Sequence, residues 1–249
     1  MAIEPVVIYG KHAVREALMA RPDVVRTLYV SDGARDAELS ALLKKTGIKG
    51  TPLDLKKLPR GVPVDAVHQG LVASIDSSTL MQDYDDFVRD LTVTSDTAFV
   101  LLGEVQDPHN VGAVIRSAAA FGITGVLIPE HRQVQVTGTV IKVSAGMAFR
   151  VPLLSVGNVN QTIRDLKERG FWVYGLDETA TQSVTEESFD RPSVFVLGNE
   201  ATGIREKTLE HCDIPLKIPM HGQTESLNAS ASAAVVLYAW SVKHTNALK

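Results

Sequence analysis

The chain has 249 residues, 45% hydrophobic and 22% charged, enough for two hydrophobic cores and too apolar for a disordered protein. Its net charge of −4 argues against a protein that grips nucleic acid over its whole surface. No apolar run approaches the roughly 20 residues of a membrane-crossing helix, and the N-terminus lacks a secretory pattern. Cys212 is the single cysteine and no Cys/His spacing resembles a zinc site, so a cytoplasmic protein without metal or disulfide is expected.

The opening residues alternate short apolar strands with helical patterns. Val6–Tyr9 reads as a strand ending at Gly10, and His12–Met19 as a helix with Ala13, Val14, Ala17 and Leu18 at helical period. Thr27–Val30 is a second strand, and Arg35–Lys45 a second helix closed by Gly47. Strands follow at Ile48–Pro52 and Leu71–Ile75, and Asp54 is expected to cap a short helix to Leu58 between them. Residues 1–77 thus form a small α/β domain, net +2, with a weak lean toward an RNA partner. Gly10-Lys11-His12 and His68-Gln69-Gly70 place hydrogen-bonding side chains beside flexible backbone, which suits either a phosphate contact or ordinary turns.

Residues 78–94 are acidic, net −3, and read as a linker with one short helix. From residue 95 to 249 the apolar runs are of the kind covered on both faces: Ala98–Leu102, Val126–Ile128, Val151–Leu154, Trp172–Leu176, Val194–Leu197 and Ile214–Ile218. Helical patterns lie between them at Val111–Phe121, Gly138–Ser144, Val159–Arg169 and Arg205–His211, which predicts a parallel sheet. The dinucleotide and P-loop glycine patterns are both absent.

Parallel sheets bind ligands beyond the carboxyl ends of their strands. Three loops there carry unusual polar residues. In the first, Gly103–Gly112, Asn110 is placed to cap the helix carrying Arg116. The second, Leu197–Ile204, sets Glu200 between Gly198 and Gly203, where its carboxylate is able to accept several donors and hold the loop. The third, Ile218–Asn228, enters a final helix of small residues followed by Val235, Val236, Leu237, Tyr238 and Trp240, with Thr224 and Ser226 as cap candidates and Asn228, at the helix start, able either to cap it or to touch ligand. Arg116 on so apolar a helix either pairs internally with a carboxylate such as Glu200 or points into a site.

Together these loops resemble the SpoU-type RNA ribose 2′-O-methyltransferases of the SPOUT superfamily. Asp107-Pro108-His109-Asn110-Val111-Gly112 with Arg116-Ser117-Ala118 looks like their first motif, Leu197-Gly198-Asn199-Glu200-Ala201-Thr202-Gly203-Ile204 like the second, and Ile218-Pro219-Met220-His221-Gly222 with Ser226-Leu227-Asn228-Ala229-Ser230 like the third. The likeness extends through Gly10-Lys11-His12, His68-Gln69-Gly70 and Lys142-Val143-Ser144-Ala145-Gly146. It implies a knotted, dimerising C-terminal domain with a deep trefoil knot and an N-terminal domain similar to ribosomal protein L30e. It also implies S-adenosylmethionine as donor, a homodimer, and RNA as substrate, foremost a guanosine of bacterial large-subunit rRNA.

Carried over by motif, the cofactor lies against Leu197, Gly198, Ile218, Met220 and Leu227. Asn110, Arg116, Glu200, Ser226 and Asn228 form the reacting centre, and Lys11, His12, His68 and Gln69 contact RNA. Ser117, Ala229 and Ser232 depart from the residues common in the family and bear on the fine shape of the pocket. The alternatives are a tRNA ribose methyltransferase and a non-catalytic RNA-binding assembly factor.

Overall fold

The computed structural model describes residues 6–222 and 226–249, so the expected cap Thr224 lies outside the described residues. The chain forms two compact units, one of Met1–Met81 with Val136–Arg150 and one of Gln82–Gln135 with Val151–Lys249.

The first unit begins with strand β1 (Val6–Tyr9), helix α1 (Lys11–Ala20), strand β2 (Val25–Val30) and helix α2 (Ala37–Thr46). Strands β3 (Gly50–Pro52) and β4 (Leu71–Ile75) and the short helix α3 (Ser77–Leu80) follow. The sheet runs β1-β4-β2-β3, with β4 antiparallel to both of its neighbours and β3 parallel to β2. Helix α2 starts at Asp36, whose side chain accepts from Leu39 N, and ends at Gly47 in the left-handed conformation. The helix expected after Asp54 does not form. Asp54 Oδ1 instead accepts from Lys56 N at 2.8 Å and holds a turn, because Pro59 and Gly61 leave too few residues for a helical nucleus.

The second unit opens with strand β5 (Met81–Asp83) and helix α4 (Tyr84–Arg89). The expected linker is therefore structured: Tyr84 and Val88 are buried in the unit's core, and Tyr84 Oη donates to Asp165 at 2.5 Å. Strand β6 (Ala98–Leu102), helix α5 (Pro108–Ala120) and strand β7 (Gly125–Pro129) follow. Helix α6 (Gly138–Val143) comes next in sequence but belongs to the first unit. The second unit resumes at strand β8 (Leu153–Val156), helix α7 (Val159–Glu168), and strands β9 (Trp172–Leu176), β10 (Gln182–Ser183) and β11 (Ser193–Leu197). Helix α8 (Glu206–Leu209), strand β12 (Ile214–Lys217) and helix α9 (Ala229–Ser241) complete it.

Its sheet runs β10-β12-β9-β11-β6-β7-β8-β5, and neighbouring strands from β10 to β8 run parallel. The strands β6, β7 and β11 are buried at every residue, as expected where helices cover both faces. Phe99 meets Phe171 at 5.5 Å between ring centroids, and Leu101, Leu127, Val173, Val194 and Val196 fill the same core. Helix α9 packs against α5, with Ala233, Val236, Leu237 and Trp240 fully buried.

The placement of α6 corrects the expectation that residues 95–249 form one unbroken domain. Gly138 lies so close to β1 that a Cβ there would stand 2.3 Å from the Val7 carbonyl oxygen. Gly146, in the left-handed conformation, leaves no room for a side chain beside Glu16, which is 6% exposed. Arg150 Nε then pairs with that carboxylate at 2.6 Å, and Lys142 lies 4.9 Å from the Tyr9 ring centroid. Tertiary contacts of this kind leave no helical or strand period in sequence.

Candidate active site

The ends of β9, β11 and β12 are adjacent in the sheet, so the loops that follow them converge. The loop after β11 closes on itself, Asn199 and Gly203 exchanging backbone hydrogen bonds of 2.9 Å in both directions. Asn199 Oδ1 accepts from Ala201 N and Thr202 N, and its Nδ2 donates to the Glu104 carbonyl at 3.0 Å. Gly198 is required by close approach: a Cβ there would fall 2.2 Å from the Gly203 carbonyl carbon and 2.3 Å from Ile204 N.

Helix α5 is capped by Asp107, whose side chain accepts from His109 N, with Pro108 in the first turn. Asn110, the expected cap, instead sits inside that first turn at 5% exposure. Its position frees the amide for other partners. Glu200 Oε1 accepts from Asn110 Nδ2 at 2.9 Å and from Asp107 N at 3.1 Å, while Oε2 accepts from Gln106 N at 3.1 Å. Asn228 Nδ2 then donates to Asn110 Oδ1 at 2.9 Å, and Asn228 Oδ1 caps α9 by accepting from Ser230 N at 2.9 Å.

The direction of this relay follows from donor chemistry. An ionised carboxylate only accepts, so it turns the Asn110 amide nitrogen toward itself and the Asn110 oxygen toward Asn228, whose own oxygen is left facing the helix N–H groups. Burial works against the Glu200 charge, but the donors from Asn110, Gln106 and Asp107 outweigh it and hold the carboxyl below its ordinary value. Three loops distant in sequence are thereby tied through one anion.

Beside the relay is a cleft of about 370 Å³, within the range of small-molecule sites of roughly 300–1,000 Å³. All five residues expected against the cofactor, Leu197, Gly198, Ile218, Met220 and Leu227, line it, as do Glu200 and Ser226. Ser226 does not cap α9; Asn228 does. The end of β9, Leu176-Asp177-Glu178, forms a further wall that the sequence reading missed. The rule that ligands gather at strand ends pointed to it, but no motif marked it.

Arg116 stands apart from both features. It is exposed, is not on the cleft wall, and makes no hydrogen bond or ion pair among the described residues, so the internal pairing with Glu200 does not occur. Within the first unit, Lys11 N donates to Gln69 Oε1 at 3.0 Å, His68 Nδ1 accepts from Gly70 N at 3.0 Å, and His12 is exposed. Among the described residues no helix is long and apolar enough to cross a membrane, and no three His, Cys, Asp or Glu side chains are grouped to hold a metal.

The chain resembles known proteins in sequence and in fold. The model of the SpoU rRNA methylase family matches residues 97–238, and that of the RNA 2′-O ribose methyltransferase substrate-binding family matches residues 7–81. The chain is similar to the 23S rRNA (guanosine-2′-O-)-methyltransferase RlmB of Neisseria meningitidis, at 35% identity over 92% of each chain. It is 37% identical to the enzyme of the same name from Photorhabdus laumondii, over 93% of this chain and 96% of that one. Its fold is similar to the crystal structure of the SpoU methyltransferase AviRb from Streptomyces viridochromogenes in complex with its cofactor AdoMet, with a TM-score of 0.79 at 24% identity over 97% of this chain and 91% of that one. A family match over more than half the chain, joined to relatives of this identity over nearly all of it, establishes that the protein belongs to the SpoU rRNA methylase family.

Proposed function

We propose that the protein methylates the 2′-hydroxyl of a guanosine ribose in bacterial large-subunit rRNA, with S-adenosylmethionine as donor. The observation that carries this reading is the Glu200–Asn110–Asn228 relay, which joins the three motif loops beside a cleft of cofactor size. The cleft fits the donor chemically. Leu197, Ile218, Met220 and Leu227 offer apolar surface for a purine and the methylene groups of the side chain, while the loop backbones offer polar groups to ribose and amino acid.

When bound, S-adenosylmethionine supplies an electrophilic methyl group on a sulfonium. The chain's task is to bring a ribose oxygen behind that methyl group, since alignment supplies much of the rate in such a displacement. In this reading Asn110, Asn228 and Ser226 orient the reacting nucleotide, and Glu200 keeps the loops in register rather than moving a proton. Arg116, exposed and unpaired among the described residues, binds an RNA phosphate and stabilises the developing alkoxide, with the hydroxyl proton passing to water. A guanidinium is a poor base but a good anion clamp.

The first unit serves as an L30e-like RNA-binding domain, with Lys11, His12, His68 and Gln69 toward the substrate. The second is proposed to carry the trefoil knot that the family resemblance implies. Val235, Tyr238 and Val242 expose apolar surface on and just beyond α9, and the homodimer is proposed through that face. A bacterial rRNA substrate makes the protein cytoplasmic.

The test is transfer from labelled S-adenosylmethionine to undermethylated large-subunit rRNA, followed by mapping of alkali-resistant linkages, with Arg116→Ala alongside. One new resistant site, lost in the variant, is expected. Transfer only to tRNA would replace the substrate in this reading. Binding of RNA without any transfer, to rRNA, assembly particles or tRNA, would establish a non-catalytic factor instead.

A further inference from the structure

Among the described residues three carboxylates line the cleft, Asp177, Glu178 and Glu200, and no lysine, arginine or histidine does. One of them is committed on both oxygens and one on a single oxygen. Glu200 is bonded through both oxygens, and Asp177 Oδ1 accepts from Thr179 N at 2.9 Å and Thr179 Oγ1 at 2.8 Å. Glu178 is exposed and has no hydrogen bond or ion pair among the described residues. It sits at the end of β9, beside the strands whose loops form the rest of the wall.

Resting on the proposed reaction, we infer that Glu178 makes the cleft selective for the cationic donor over the neutral product. Transfer breaks the bond from sulfur to methyl and forms a bond from the ribose oxygen to that carbon. The hydroxyl proton leaves to solvent, and the sulfonium becomes an uncharged thioether. The ligand therefore loses one positive charge in the step, while its adenosine and amino-acid parts stay the same. A carboxylate facing the ligand across a partly apolar cleft favours the charged form and lets go of the spent one, which limits product inhibition. Apolar contacts from Ile218 and Met220 are shared by both ligands and supply affinity without this discrimination.

The experiment is calorimetric titration of the purified protein with S-adenosylmethionine and, separately, S-adenosylhomocysteine, for the native chain, Glu178→Gln and Glu178→Asp. The expected result is that Glu178→Gln weakens S-adenosylmethionine about tenfold and leaves S-adenosylhomocysteine within about twofold, while Glu178→Asp keeps most of the preference. Raising the salt from about 0.05 M to about 0.5 M is expected to shrink the native preference toward that of the glutamine variant. Equal weakening of both ligands would make Glu178 a contact to their common parts and overturn the inference, as would no change in either. Native protein that binds neither ligand would instead remove the proposed donor, a failure distinguishable from the first two. A thermal melt of each variant checks that it is folded, which the exposure of Glu178 makes the expected outcome.

Discussion

Glu200 and Arg116 belong to the same unit, yet both carboxylate oxygens of Glu200 are bonded to the protein, whereas Arg116 has no hydrogen bond or ion pair among the described residues. The anion organises the chain and the cation is kept in reserve. A carboxylate satisfies several backbone donors at a turn, so Glu200 suits the task of joining loops. A solvated guanidinium loses little by waiting exposed, and a polyanionic substrate brings the partner that the protein withholds. In the proposed reading the chain's own bonds hold the loops beside the cleft, whereas the exposed Arg116 takes its partner from RNA.

The largest effect that sharpens this contrast is expected of Arg116→Ala. Single-turnover transfer is expected to fall about 10²–10³-fold, with affinity for S-adenosylmethionine unchanged by calorimetry, because the residue acts on developing charge rather than on the donor. Arg116→Lys retaining near-native transfer would show that a point charge suffices and break the contrast. The reverse pattern is expected of Gly198→Ala. The added methyl meets the Gly203–Ile204 backbone, so the loop shifts, donor binding is lost, and urea denaturation reports a cost of about 1–3 kcal/mol.

Asn110→Ala leaves Asn228 Nδ2 without its acceptor and removes one donor to Glu200 Oε1, and is expected to cost about 1–3 kcal/mol by urea denaturation, with transfer impaired beyond the loss of stability. The smallest effect is a pH dependence. The native carboxyl of Glu200 titrates below its ordinary value of 4.5, so its contribution is present above that value and lost as the pH falls through the lower native one. Compared by chemical denaturation, the native chain and Glu200→Gln are therefore expected to differ near neutrality and to converge in acid. A gap that widened in acid would show the opposite shift and undo the account of the relay.

The motif loops were legible because their chemistry is local: a proline in the first turn of α5, a glycine pressed against the Gly203 backbone, a Ser-Leu-Asn run before the small residues of α9. The expected cofactor residues accordingly all fall on one cleft. The caps were misread for a physical reason. Asp107, Asn110, Ser226 and Asn228 all carry oxygens able to accept a helix N–H, and which one does so depends on what else competes for the side chain. Glu200 draws Asn110 away from capping, a decision made 90 residues downstream.

Sequence by itself determined the two-part α/β organisation, the parallel sheet and the identity of the motif loops, because hydrophobic period, turn residues and short motifs act within a few neighbouring positions. Tertiary structure alone decided that residues 136–150 pack with the first unit, that the acidic segment after Met81 joins the second unit's core, and that Glu178 lines the cleft. It alone also left Arg116 without an internal partner among the described residues. These outcomes rest on which side chains meet across large separations in sequence, through backbone approach at Gly138 and Gly146, burial of Tyr84 and the adjacency of β9, β11 and β12, and no local pattern encodes them.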